Sequence, residues 1–334
     1  MRVGVTGAAG HVGTSICNAL IQSGYEVNAL VFRDIASLKN LPVQLIYGNI
    51  LDKKSLASFM RGCDYIIHAA AAFSFSKTFD QYVYDVNVVG TRNVLESARE
   101  NGIKRVVYIS SIQVYSTNHS GSINESCQFV QDGESIYDTS KRDGHILTKE
   151  ASNNRIETII VCPTSVFGPP DSKPSRIGRA MIDLYQGKFP AVFRGGFDFV
   201  DVRDVALGTI KAMEMGKNGE SYILGGKYAT LKEFADIVQK IRGKRRKIIE
   251  LPTWLPYLIL PFIKYYAKLT KTQPLFEKSY IDILKQGNKG INSEKAYKEL
   301  GYRTRDMKHT IQDTLQYFQT EGKNHHDIIK RNTD

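Results

Sequence analysis

Residues 2–13 leave the chain little choice of architecture. Arg2-Val-Gly-Val-Thr6 is a short apolar strand, and Gly7-Ala-Ala-Gly10-His-Val-Gly13 is a glycine-rich turn. From Thr14 to Ser23 the apolar residues recur at helical spacing. A glycine motif held between a strand and a helix is the setting in which it binds a dinucleotide. Gly7 permits the tight turn. Gly10 removes a side chain where a pyrophosphate must approach backbone N–H groups, and Gly13 lets the helix pack close to the sheet. The helix N-terminus supplies partial positive charge for the phosphates. A plain glycine turn is the competing reading, and three glycines in this order weigh against it.

Apolar strands then alternate with helical segments to about residue 165, which implies a parallel sheet wound on both sides. The strands are predicted at 2–6, 26–31, 43–47, 64–68, 105–110 and 157–162. Residues 116–135 are polar and read as a loop over the site, free to move. A helix follows to about 153. Beyond Pro169-Pro170 the pattern predicts a helix at 175–187, a strand at Phe199-Val200 and a helix at 202–215. A strand at 221–224 is predicted to return to the main sheet. The fold class is therefore α/β: a Rossmann doubly wound parallel sheet with a smaller, interleaved α/β C-terminal substrate domain. Residues 1–165 form the dinucleotide-binding part and 166–325 mainly the substrate-binding part.

The second strand, Tyr25 to Phe32, ends without the acid that often accepts from an NAD ribose 2′-hydroxyl. Val31 stands there, with Arg33 just beyond. Arg33 suits a 2′-phosphate, so NADP is favoured and NAD is the alternative. Asp34 is adjacent and could claim the arginine.

Tyr137 and Lys141 lie four residues apart, one helical turn on the same face. A neighbouring ammonium favours phenolate over phenol, so Tyr137 is expected to exchange a proton near neutral pH.

Several motifs together resemble the extended short-chain dehydrogenase/reductase family. They are Thr6-Gly7-Ala-Ala-Gly10-His-Val-Gly13, Gly48-Asn49-Ile50-Leu51-Asp52, Ile67-His68-Ala-Ala-Ala71, Asn87-Val-Val-Gly-Thr-Arg-Asn93, Tyr108-Ile-Ser-Ser111 and Cys162-Pro163-Thr-Ser-Val-Phe-Gly-Pro169. Within it, the later segments 197–206, 219–226 and 292–302 are most similar to dihydroflavonol-4-reductase-like and NAD-dependent epimerase/dehydratase proteins. The resemblance implies Ser111, Tyr137 and Lys141 as the catalytic set. It implies cofactor contacts from Gly7, Ala9, Gly10, His11, Val12, Gly13, Arg33, Asn49, Ile50, Ala69, Ala70, Ala71, Ile109, Tyr137, Lys141, Pro163, Ser165 and Val166. In those roles Tyr137 donates a proton to the carbonyl oxygen, Ser111 donates a hydrogen bond to it, and Lys141 holds the nicotinamide ribose and lowers the Tyr137 pKa. Ser110 could replace Ser111, but strand alternation lets only one face the site.

Two departures from the family bear on the substrate. Phe197 stands where nucleotide-sugar enzymes place a diphosphate-gripping Arg, with Arg194 three residues earlier. Ser116 stands where flavonoid reductases place an Asn. The resulting expectation is an NADP-dependent reductase of a ketone or aldehyde. The alternative is a nucleotide-sugar epimerase/dehydratase with tightly bound NAD, and the third reading is a non-catalytic nucleotide sensor.

Among other candidates, His68 reads as a satisfied near-core residue and Tyr115 as a packed aromatic. His119 and His145 read as solvated. No metal site is expected: four scattered cysteines suit a reducing cytoplasm, and His325-His326 has no partners nearby. The N-terminus lacks the pattern of a signal peptide, and no apolar run spans a membrane. The formal net charge of +11 is dispersed except at 240–247, read as a helix end and solvated turn, so nucleic acid is not an expected partner. The apolar segment 254–268 could cover the substrate pocket, join subunits or rest on a membrane surface, with pocket cover favoured. If it covers the pocket, the substrate is apolar or bulky. A homodimer through the Tyr137 helix is the assembly that relatives suggest.

Overall fold

The structure, a computed structural model, describes residues 1–74, 78–118, 121–153, 156–243, 247–255 and 290–320. Most of segment 254–268 and the tail from 321 lie outside the described residues, as do His119 and residues 244–246 of the basic run at 240–247.

In the first half, the strands are β1 (Arg2–Thr6), β2 (Glu26–Val31), β3 (Gln44–Tyr47), β4 (Tyr65–His68), β5 (Arg105–Ile109) and β6 (Glu157–Pro163). Between them lie α1 (His11–Gln22), α2 (Lys53–Met60), α3 (Gln81–Tyr84), α4 (Gly90–Glu100) and α5 (Ile136–Ala151). A π-helical turn, Asp85–Val89, joins α3 to α4. The second half adds β7 (Ser165–Phe167), α6 (Arg176–Gln186), β8 (Ala191–Phe193), β9 (Gly196–Asp201), α7 (Val202–Met215) and β10 (Ser221–Leu224). It ends with β11 (Lys227–Thr230), α8 (Leu231–Arg242), β12 (Ile249–Leu251), α9 (Glu294–Leu300) and α10 (Met307–Thr320).

The main sheet has seven strands in the order β10-β6-β5-β4-β1-β2-β3, and every pair is parallel. Strands buried on both faces read as continuous apolar runs, and Val106, Val107, Ile159, Ile160 and Val161 are all fully covered. The strand at 221–224 pairs with β6, as expected. Parallel strands place all their carboxyl ends on one edge. Strand order reverses between β1 and β4, which opens the crevice where such sheets take ligands.

The smaller sheets, β11-β9-β7 and β12-β8, pack with α6, α8 and α10 around Phe167, Phe199, Phe234 and Leu315. Asp201 caps α7 and also accepts from Thr310 Oγ1 at 2.7 Å, which fastens α10 to the second half. The strand expected at Phe199-Val200 is β9, whereas the three- and four-residue strands β7, β8, β11 and β12 carried little signal in the sequence, because strands so short show no alternation.

The described residues of 116–135 form the loop expected, tied down at several points. Ser116 N donates to Gln128 O at 2.7 Å and Val130 N to Val114 O at 2.9 Å. Ile123 pairs with Ile291, and Glu125 accepts from Ile223 N at 2.8 Å. Composition showed the polar residues but not these long-range partners.

Candidate functional site

The carboxyl ends of the main-sheet strands β1 to β6 build the site. Beyond β1, Gly7 sits at φ +65°, and a Cβ there would stand 2.6 Å from Ala70 N. At Gly13 a Cβ would collide with the Gly7 carbonyl, so only glycine lets α1 start this close to β1. Gly10 is different: a Cβ there meets only Gly7 O, at 3.2 Å, and otherwise points into open space. Gly10 is also the N-cap of α1, with no side-chain cap and no acidic residue in the first turn. The N–H groups and positive pole of α1 therefore face a cradle that a side chain would fill, which fits a dinucleotide pyrophosphate.

The other predicted cofactor residues sit around this cradle. Ala9 and Val12 pack on the core beneath the loop. His11 turns its ring away, its Nε2 lying 2.7 Å from Gly168 O, so its backbone is what it offers a ligand. Ser37, which sequence reasoning missed, ties the loop down: its Oγ donates to Ala9 O and accepts from Thr14 Oγ1, each at 3.0 Å. A lone serine in a polar turn carries no signal for this role.

Arg33 is exposed at the end of β2, its guanidinium 4.8 Å from the Phe32 ring centroid. Asp34 does not claim it. That carboxylate pairs with Lys173 and accepts from Ala36 N at 2.9 Å. Asn49 spends its side chain on its own turn, accepting from Leu51 N at 3.0 Å. Ile50 is buried against Gly90.

Beyond β4, the segment 69–72 is held by Asn87. Its Oδ1 accepts from Ala72 N at 2.8 Å and its Nδ2 donates to Ala72 O at 2.9 Å. Ala69 and Ala70 pack inward while Ala71 is exposed. His68 is the near-core residue expected: it bridges Thr6 Oγ1 at 2.7 Å and Thr91 Oγ1 at 3.0 Å. Burial pushes its pKa down to about 3, with a smaller contribution from Lys141, so the ring is neutral.

β5 and α5 carry the candidate catalytic groups. Ser135 caps α5 by accepting from Asp138 N at 3.1 Å, which sets Tyr137 in the first turn and Lys141 one turn on. Ser110 and Ser111 face opposite ways. Ser110 Oγ lies 3.0 Å from His145 Nδ1, whereas Ser111 is a hydrogen-bonding neighbour of the Tyr137 hydroxyl. Lys141 is 2% exposed; its Nζ donates to Ile109 O at 2.6 Å and lies 4.2 Å from the Tyr108 ring centroid. Pro163, Ser165 and Val166 follow at the end of β6 and in β7.

Two expectations need correction. First, Lys141 does not make Tyr137 easy to ionise in this chain. Burial pushes the Tyr137 hydroxyl up to about 12, opposed by the Ser111 hydrogen bond and assisted by Asp138. Burial likewise pushes Lys141 down to about 7. Desolvation is the largest effect at both groups, although Tyr137 keeps part of its surface open at the site while Lys141 is covered. Second, His145 is not solvated. It is 1% exposed, and its Nε2 lies 3.0 Å from Ser221 Oγ. It stands four residues after Lys141, on the same buried face of α5, a spacing that could have revealed it. Tyr115, in contrast, is the packed aromatic expected, stacked on Phe129.

Over Tyr137 lies Phe73, half-exposed, with ring centroids 4.4 Å apart. The Arg176 guanidinium stands 4.5 Å from the Phe73 ring, so the second half reaches across to the site. Neither residue was signalled by a motif. Arg194, in turn, lies 3.8 Å from Glu250. Among the described residues, no group of three or more His, Cys, Asp or Glu could hold a metal. No described helix is long and apolar enough to cross a membrane.

A profile of the NAD-dependent epimerase/dehydratase family matches residues 3–225. The chain is 31% identical over 326 residues to sterol demethylase protein B of Methylococcus capsulatus, covering 95% of this chain and 98% of the relative. It is 31% identical over 328 residues to a Synechocystis protein named for dihydroflavonol 4-reductase, covering 95% and 94%. The crystal structure of gox2253 superposes with a TM-score of 0.79 at 28% identity, covering 96% of this chain and 98% of that one.

Proposed function

The chain belongs to the NAD-dependent epimerase/dehydratase family, as an NAD(P)-dependent enzyme of the extended short-chain dehydrogenase/reductase type, and we propose that it reduces a bulky, largely apolar ketone or aldehyde with NADP. The observation that carries this reading is the Tyr137 hydroxyl beside Ser111, with Lys141 buried one turn further and the Phe73 ring lying on Tyr137. When bound, the nicotinamide supplies the hydride. This chain's residues receive the charge that reduction leaves on the substrate oxygen. Tyr137 gives that oxygen its proton, and Ser111 donates a hydrogen bond to it. Lys141 holds the ribose hydroxyls. The uncapped start of α1, through Gly10 and its neighbours, receives the pyrophosphate, and Arg33 receives the 2′-phosphate.

Two features favour an apolar carbonyl substrate over a sugar nucleotide. The first relative's name concerns sterols, and an exposed Phe73 suits an apolar body better than a diphosphate. In this reading residues 1–165 with β10 hold the dinucleotide and 166–325 hold mainly the substrate. The test is a screen of NADPH oxidation over bulky ketones, aldehydes and sugar nucleotides, run with Tyr137→Phe. The variant is expected to bind NADPH as the parent does and to lose at least about 100-fold in kcat, the usual size of a general-acid contribution. Reduction by Tyr137→Phe at the parent rate would overturn the assignment.

A further inference from the structure

The Lys141 ammonium is buried with no carboxylate beside it among the described residues. It has one neutral acceptor, the Ile109 carbonyl. Among the described residues, the titratable groups that interact with it are uncharged near neutral pH. His68 on β4 and His145 on α5 are driven to the neutral imidazole. Cys162 on β6 is pushed up to about 12, as is Tyr137 on α5, and burial raises the phenol of Tyr108 on β5 as well. A lone ammonium in such a place is costly unless something else favours its charge. The negative face of an aromatic ring does this without introducing a carboxylate.

Tyr108 is built to present that face. It is 1% exposed, and its ring centroid lies 4.2 Å from Lys141 Nζ. The His68 ring holds it from one side, with centroids 5.5 Å apart. Helix α5 comes down on its hydroxyl end at Gly144, where a Cβ would stand 2.5 Å from the Tyr108 hydroxyl. The ring therefore has no room to tilt away.

We infer that Tyr108 is a positioning residue whose ring face keeps the Lys141 ammonium charged and aimed at the cofactor ribose. This goes beyond the proposed function while resting on its reading of Lys141. A carboxylate in this place would fix the charge equally well, but it would also compete for the ammonium that the ribose must take. A ring face attracts the ammonium without occupying its hydrogen-bond donors.

The experiment replaces Tyr108 by Phe, then by trifluoro- and pentafluorophenylalanine, which keep the ring shape and progressively remove its negative face. Leu serves as a non-aromatic variant, with the fold checked by circular dichroism and melting. Lys141 is titrated directly by NMR in chain labelled with [ε-13C]lysine, its signal assigned by Lys141→Arg. Phe should keep the parent titration. Each fluorination step should lower it, to a total of about one pH unit for pentafluorophenylalanine, which corresponds to ~1.4 kcal/mol. The alkaline limit of NADPH binding should move down with it. A Lys141 titration indifferent to fluorination would overturn the inference, whatever the Leu variant does. Failure of the enzyme reading looks different: NADPH would bind no variant, and not the parent.

Discussion

Gly10→Ala separates cofactor binding from folding, and the structure gives the size of both effects. Gly10 has φ −77° and ψ 166°, which alanine adopts without strain. The added methyl meets a single atom within 4 Å, Gly7 O at 3.2 Å, a contact relieved by a few tenths of an ångström. Alanine restricts the unfolded chain, which stabilises by ~0.4–1 kcal/mol. It is a poorer N-cap than glycine, which offsets that gain. Net stability should change by less than about 1 kcal/mol, or about 3 °C in Tm. Binding should respond otherwise. The methyl projects into the space where the pyrophosphate meets the first N–H groups of α1, and each charge-assisted hydrogen bond lost there costs ~1.5–3 kcal/mol. The NADPH Kd should therefore rise at least about tenfold. Gly13→Ala is the contrast. Its methyl would meet Gly7 C at 2.8 Å and Ala8 Cα at 2.9 Å, which are backbone atoms that cannot swing aside. It should lose ~1–3 kcal/mol of stability as well as the cofactor. Calorimetric titration with NADPH and a thermal melt read both quantities. Parent-like affinity in Gly10→Ala would refute the cradle, and a parent-like melt in Gly13→Ala would refute the packing argument.

Arg33→Ala removes the guanidinium assigned to the 2′-phosphate. NADPH should bind about 10- to 100-fold more weakly while NADH is unchanged, and equal losses for the two in parallel titrations would remove Arg33 from that role. The buried histidines predict acid sensitivity. His68 and His145 are both pushed down to about 3 in the fold, against ~6.5 in an unfolded chain. Between these values the unfolded state binds more protons, so the stability these two histidines contribute is full above about 6.5 and is lost as pH drops toward 3. Each histidine contributes a slope of up to ~1.4 kcal/mol per pH unit. Urea midpoints measured from pH 7 to 4 should fall less steeply in His145→Asn than in the parent, and identical slopes would sink this account.

The sheet was legible because its strands are buried on both faces, and unbroken apolar runs such as Val106-Val107 and Ile159-Ile160-Val161 mark themselves. The glycine turn was legible for a related reason: close backbone approach admits one residue type. What sequence could not show are contacts whose partners are remote. His145 meets Ser221 across 76 residues, Glu125 meets Ile223 across 98, and Arg176 reaches Phe73 from the other half. Nor could spacing reveal solvation. Tyr137 and Lys141 at one helical turn read as an ion-assisted phenol, yet their pKa values depend on how much protein lies above them, which no local pattern records.

That burial acts on the two groups in opposite senses, and the difference orders the chemistry. A phenol pushed up to about 12 keeps its proton at neutral pH, while an ammonium pushed down to about 7 sits near its point of loss. In the proposed reduction, Tyr137 therefore carries the proton it is to give. The vulnerable member is the lysine, whose charge depends on the Tyr108 ring face and the Ile109 carbonyl. A bound dinucleotide brings anionic phosphates and ribose acceptors to the same edge of the sheet, and both favour the charged lysine. Cofactor binding and lysine protonation are then linked: each raises the other. Gly10, Arg33 and Tyr108, which touch no carbonyl substrate in this scheme, would all act on catalysis through that shared step. The hydroxyls of Tyr137 and Ser111 act after it.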